Sequence, residues 1–272
     1  MRLVAVGDVM VDVVCSELPR AGARVHADVT IRVGGSAVNV AAAAAARGAA
    51  ATVVGRIGAD ATGDLVLADL AAHGIVAALA RDDEVPTGAA LAFPSDTSQP
   101  TVVATRGANA RFAVDDVPVV LDADALYVSG FALFQGGSSA AASAALDRFS
   151  GEYVGIDVGS PALASVARDA RLPDASVLFA TADEARALTA ADPEDAARAL
   201  ATRVAVTCVK LGADGAIAAT RDRFERRRAH LVAPSAFGSG DAFAGAFLVA
   251  LARGDDLGAA LEEACEAGAA AG

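Results

Sequence analysis

The chain has 272 residues, 54% of them hydrophobic but only 4% aromatic, so it can bury a substantial core built from Ala, Val and Leu. Its formal net charge of −12 argues against a nucleic-acid partner, which demands a basic face to displace counterions. Three widely spaced cysteines, Cys15, Cys208 and Cys265, form no C-x-x-C pair and fit buried thiols in a reducing compartment.

Taken in order, Leu3-Val-Ala-Val-Gly7 is an apolar run ending in glycine and predicts a buried strand. Asp8 and Asp12 follow too soon for a signal-peptide core, and Arg47 and Arg56 interrupt the alanine-rich tract. No membrane span is expected, and the chain reads as cytoplasmic. Residues 38–47 are helix-forming, 52–55 strand-like, and 63–73 carry Leu65, Val66, Leu70 and Ala71 at helical spacing, closed by Gly74. Further strands are expected at 125–129, 153–157, 176–179 and 204–209. Helices are expected at 138–149, 162–170, 182–188 and 193–202. This alternation predicts an α/β fold, a mostly parallel sheet flanked by helices on both faces. The arginines at 221, 223 and 226–228 are interleaved with Asp222 and Glu225 and read as a solvated loop or strand edge.

Two regions break the rhythm. Residues 25–33 alternate in polarity, as do 87–93 and 101–105 around a turn-rich 94–100. They predict a small β-sheet lid, inserted at about 13–33 and 86–108 into a single domain spanning 1–272.

Two glycine-rich motifs stand out. Gly34-Gly35-Ser-Ala-Val-Asn39 joins a lid strand to an alanine-rich helix, where glycines admit a close ligand and Asn39 both donates and accepts. That suits a polyol, although a tight turn with a helix cap explains it as well. Asp12 follows the first strand, where open α/β sheets gather ligands, or serves only its own loop. Gly238-Ser-Gly-Asp241 precedes an apolar helix whose free N–H groups and dipole favour anions. A carboxylate there makes sense if it takes a proton from a hydroxyl attacking a phosphate; otherwise Asp241 is an ordinary first-turn acid. Phe243 spoils a dinucleotide fingerprint, no Gly-Lys-Ser/Thr loop occurs, and His26, His73 and His230 are too scattered for zinc.

These motifs, in this order with Gly48 and Gly58, resemble the PfkB-type, ribokinase-like carbohydrate kinases over nearly the whole chain. The resemblance implies a ribokinase-like fold and transfer of the ATP γ-phosphoryl group to a sugar or nucleoside hydroxyl. It implies Asp241 as general base, with Gly238, Ser239 and Gly240 as the anion hole. Asp12, Gly34, Gly35 and Asn39 would hold the acceptor, Lys210 and Gly212 the nucleotide, and Glu184 would organise Mg²⁺ through water. Thr181 replaces the Asn of the family's Asn-x-x-Glu motif, and Ser235 and Ala236 replace Asp-Thr, so a monovalent-cation requirement is not carried over. The chain ends at Gly272, where relatives continue around the adenine, so an incomplete adenine pocket is one expectation.

Arg106 and Asn109 are candidates to touch a substrate carboxylate or phosphate, against a reading as hairpin-end surface residues. Phe93, Phe112, Phe131 and Phe134 are the candidates for stacking a nucleobase, and each also fits a core role. Alternatives to a sugar kinase are a nucleoside kinase on the same fold, or a homologue that binds without phosphotransfer. The partner is then a small-molecule sugar or nucleoside, with neither nucleic acid nor membrane, and a homodimer through the lid is expected by resemblance.

Overall fold

The computed structural model describes residues 1–95, 100–169, 175–229 and 237–271. The chain opens with β1 (Arg2–Val6), then β2 (Met10–Cys15), β3 (Val29–Gly34), α1 (Ser36–Ala45), β4 (Ala50–Gly58), α2 (Ala61–Ala72) and β5 (Val76–Asp82). Two further strands, β6 (Gly88–Phe93) and β7 (Thr101–Thr105), precede β8 (Ala125–Ser129), α3 (Gly130–Leu133), α4 (Ser139–Arg148) and β9 (Tyr153–Asp157). Next come α5 (Pro161–Asp169), β10 (Val177–Thr181), α6 (Ala182–Thr189), α7 (Pro193–Leu200) and β11 (Val206–Lys210). The hairpin β12 (Ala216–Ala219) and β13 (Phe224–Arg227) leads to α8 (Ser239–Arg253) and α9 (Leu257–Ala270).

Local chemistry explains the helix boundaries. Asp60, Asp192 and Asp256 each accept a backbone N–H at the start of α2, α7 and α9. Thr181 and Glu184 form a reciprocal capping box on α6. Gly74 follows α2 at a φ of 68°, a backbone that glycine adopts without strain.

Among the described residues the larger sheet has nine strands, ordered β13-β12-β11-β10-β9-β8-β1-β4-β5. The pairs from β11 across to β5 are parallel, and the β11–β12 and β12–β13 pairs at one edge are antiparallel. One face packs on α1, α2, α8 and α9, the other on α4 to α7. Small side chains bring α1 and α8 close: a Cβ added to Gly245 would lie 2.5 Å from the Val40 carbonyl oxygen. Phe179, Phe243 and Phe247 supply an aromatic cluster beneath that contact.

The lid is a second sheet, ordered β3-β2-β6-β7. Its β2–β3 and β6–β7 pairs are antiparallel, but β2 and β6 run parallel. Sequence reading placed Asp12 in a loop, whereas it lies within β2, paired on both sides; its single charge hid an otherwise apolar strand. The edge strand β5 also escaped notice, because Val76-Ala-Ala-Leu-Ala-Arg-Asp82 is alanine-rich and poor in β-branched residues. The arginines of β13 do form a strand edge. Part of the 94–100 turn, His230, Ser235 and Ala236 lie outside the described residues.

Candidate active site

Several parallel strands end on one side of the sheet, and each ends on a polar residue. Ser129, Asp157, Thr181 and Lys210 are the last residues of β8, β9, β10 and β11. Helix α8 begins against them: a Cβ on Gly240 would lie 3.1 Å from Lys210 Nζ. Gly238 is its N-cap, at a φ of 84° in the left-handed region. The first backbone bond of the helix runs from Ala242 N to Gly238 O, so the N–H groups of Ser239, Gly240 and Asp241 precede its ladder. These donors sit at the positive end of the helix dipole, which favours an anion.

Asp241 stands in this first turn, half-buried, and Asn39 Nδ2 donates to its Oδ2 at 2.9 Å. Burial pushes the Asp241 carboxyl up to about 7; the Asn39 bond opposes that, the Asp157 charge adds to it, and Lys210 opposes it. Such a group is poised to accept a proton near neutrality. Lys210 Nζ donates to Asp157 Oδ2 at 2.6 Å in a largely buried ion pair. Burial pulls the Lys210 ammonium down, but the Asp157 and Glu184 carboxylates together hold it at about 12. Glu184 is raised from its ordinary value, first by burial and then by Asp157. Its Oε2 accepts from Thr181 N at 2.7 Å within the capping box.

The lid brings Asp12 to the other side of this gap. Asp12 is 1% exposed, and among the described residues neither of its carboxylate oxygens has a hydrogen-bond partner. Burial pushes it up to about 6, against the opposing charge of Arg32, whose Nε lies 4.0 Å from Oδ2. A Cβ on Gly34 would collide with that same oxygen, and one on Gly35 with the Asp8 carbonyl, so both glycines are obligatory for this approach. Two orphaned acceptors in a buried carboxylate are a site for donor hydroxyls.

The structure thus brings together Asp12, Gly34, Gly35, Asn39, Gly238, Ser239, Gly240, Asp241, Lys210 and Glu184. Asn39, expected on the acceptor, is committed through Nδ2 to Asp241. Arg106 and Asn109 have other work than the expected substrate contact. Arg106 makes two bonds to Asp8, at 2.9 and 2.7 Å, and one to Ser138 Oγ at 3.0 Å. Asn109, 1% exposed, spends Oδ1 on Val9 N and Nδ2 on the carbonyls of Val9 and Arg106. Both brace the chain between β1 and β2. Gly212 lies in an open turn after β11, with nothing within 4 Å of an added Cβ.

Sequence reasoning missed Asp157 and Arg32. A lone carboxylate closing the apolar strand Tyr153–Asp157 was the available signal for the first. Arg32 follows only once Asp12 is placed in β2, because the two are direct cross-strand neighbours. A cavity of about 310 Å³ opens beyond Asn39 towards the end of α9; neither Asp12 nor Asp241 lines it.

Among the described residues no cluster of three or more His, Cys, Asp and Glu side chains could by itself hold a metal ion. Glu184 and Asp157 fit a divalent ion held mainly by phosphate oxygens and water rather than by a protein cage. No helix among the described residues is long and apolar enough to cross a membrane.

The model of the pfkB family of carbohydrate kinases matches residues 1–272. No curated protein sequence matches. Among solved structures, a probable sugar kinase from Rhizobium etli CFN 42 superposes with a TM-score of 0.86 at 22% identity, covering 98% of this chain and 92% of its own. An adenosine kinase from Sinorhizobium meliloti gives 0.83 at 22%, covering 99% and 92%. A ribokinase from Thermotoga maritima gives 0.78 at 23%, covering 98% and 91%. At these identities the likeness shows a shared ribokinase-like fold.

Proposed function

The chain belongs to the pfkB family of carbohydrate kinases, and from that premise we propose that it transfers the γ-phosphoryl group of ATP to a sugar hydroxyl. The observation that carries this reading is Asp241, a carboxylate pushed up to about 7 by burial in the first turn of an anion-binding helix. The acceptor hydroxyl attacks the γ-phosphorus, its proton passes to Asp241, and the bond from that phosphorus to the bridging oxygen of ADP breaks. The N–H groups at the start of α8 meet the charge that develops on the transferring group. Asn39 holds Asp241 in place, and Lys210 adds a fixed positive charge one residue's reach from Gly240. Glu184 and Asp157 would hold Mg²⁺ through water when it is bound with the nucleotide, and the ion would offset phosphate charge there.

The lid favours a sugar over a nucleoside. Two adjacent rows face the Asp12 side, Arg32–Asp12–Ala90–Ala104 and Thr30–Val14–Ala92–Val102, and neither carries an aromatic ring. A nucleoside kinase is the second reading, supported by Phe131, a half-buried ring packed against Gly159 beyond the ends of β8 and β9. The test is ADP release with Mg·ATP across pentoses, hexoses, sugar acids, sugar phosphates and nucleosides. Turnover confined to sugars supports the first reading and turnover confined to nucleosides the second. Nucleotide binding with no turnover on any acceptor would replace both with a binding protein.

The opposite face of the lid supports a homodimer. Ile31, Val13, Leu91 and Val103 form one row across all four strands, and Ile31 and Val103 are 64% and 61% exposed. A second copy seated on this row would cover it and the exposed edge strand β7. Sedimentation velocity is expected to show a dimer that Ile31→Asp converts to monomer; a wild-type monomer at micromolar concentration would count against it.

A further inference from the structure

Three cations stand close to the candidate site, and they differ in how they are paired. Lys210 is closed onto Asp157, and Arg106 grips Asp8 through two bonds. Among the described residues Arg32 makes no hydrogen bond to a carboxylate. Its Nη2 donates to a neutral group, the Phe237 carbonyl, at 2.9 Å, and its guanidinium carbon lies 5.5 Å from the centre of the Phe237 ring. Among the described residues Nε is buried without a hydrogen-bond partner. Its nearest carboxylate, Asp12, sits directly across the strand pair, yet at 4.0 Å it stays beyond hydrogen-bond reach.

Among the described residues one buried donor and two buried acceptors thus lie side by side without hydrogen-bond partners, 4.0 Å apart at their closest. Asp12 accepts only, so what completes it must donate, which is the property of a hydroxyl. Arg32 donates only, so what completes it must accept, and best of all carry negative charge. The Phe237 carbonyl takes Nη2, and Nε is the nitrogen that comes within 4.0 Å of Asp12. Neutral sugars satisfy the first demand without answering the charge of Arg32.

Resting on the kinase reading, we infer that the acceptor is an anionic polyol whose hydroxyls bind Asp12 and whose carboxylate or phosphate ester binds Arg32. Arg32 is then the residue that sets acceptor specificity. It lies on the edge strand β3 with its side chain 35% exposed, so replacing it leaves the core untouched.

The test is isothermal titration of the full-length chain with two matched series: ribose, ribonate and ribose 5-phosphate, then glucose, gluconate and glucose 6-phosphate. An acid or a phosphate is expected to bind more tightly than its neutral parent. Arg32→Gln should weaken that anion by about 10–10²-fold, as for a lost charged hydrogen bond. Arg32→Lys should recover part of the loss, and also serves if the glutamine variant does not fold. The acid and phosphate arms tell the two anion sources apart. Tighter binding of the neutral sugar, equal weakening of all three compounds by Arg32→Gln, or no binding by any compound would overturn the inference. ADP release measured on the same compounds separates it from the kinase reading. An anion bound through Arg32 but never phosphorylated would sink the kinase and leave the specificity assignment standing.

Discussion

Asp241→Asn is expected to lower kcat by about 10²–10⁴-fold, the usual cost of losing a general base, with nucleotide affinity nearly unchanged. The amide keeps the shape of the carboxylate and stays in the first turn of α8, but it cannot take the proton of an attacking hydroxyl. Steady-state ADP release with the preferred acceptor measures the effect. A loss of less than about tenfold would remove Asp241 from the base role.

The same residue sets a pH signature. Burial raises Asp241 from 3.8 to about 7, so kcat/KM of the wild-type protein should climb through about 7 and then level off. Stability runs the other way. Between 3.8 and about 7 the folded protein keeps a proton that the unfolded chain has released, so stability falls as pH rises across that window. Asp241→Asn removes this penalty and should raise Tm at pH 8 relative to wild type, with a smaller gain at pH 5. An active site whose inactivation stabilises the fold is a familiar trade.

The second large effect is at Lys210. Its ammonium lies 2.6 Å from Asp157 Oδ2, with side-chain exposures of only 14% and 9%. Removing one member of a buried ion pair strands the other, at a cost of about 3–5 kcal/mol, so Lys210→Met should lower Tm by roughly 6–15 °C. Replacing both, as Lys210→Met with Asp157→Leu, should restore much of that loss, because apolar packing removes the stranded charge. Calorimetry of both singles and the double tests this as a cycle. Strictly additive losses would show that the pair is not coupled. Lys210 also opposes the upward shift of Asp241, so in Lys210→Met the acidic limb of the rate profile should move to higher pH. A merely structural lysine would leave that limb in place.

Much of this architecture was legible from the chain. The buried parallel strands read as apolar runs, because each is covered on both faces and has no wet side to mark with polar residues. Gly34-Gly35 was legible because only glycine tolerates its close approaches to Asp12 and Asp8, and Gly238 because its φ of 84° lies in the left-handed region. Asp12 was found, but its strand was not, since one carboxylate within Met10–Cys15 looks like a turn until its neighbours on both sides are known. The role of Arg106 was hidden for a related reason: its partner Asp8 lies 98 residues away, and no local pattern announces that pair. Arg32 acquired meaning only through register, which sets it opposite Asp12. Contacts made across the fold leave no period in the sequence.

The near touch of α1 and α8 at Gly245 and Val40 has a consequence for how the protein could be altered. Val40 follows Asn39 directly, and Gly245 lies one helical turn beyond Asp241. The gap spanned by the Asn39–Asp241 bond is therefore gauged by two main chains resting on each other, with no adjustable side chain between them. Such a gauge has no slack in the closing direction, since backbone meets backbone, and a single methyl group opens it. Any redesign of this alanine layer for heat resistance would have to treat the helix spacing as a fixed dimension of the chemistry.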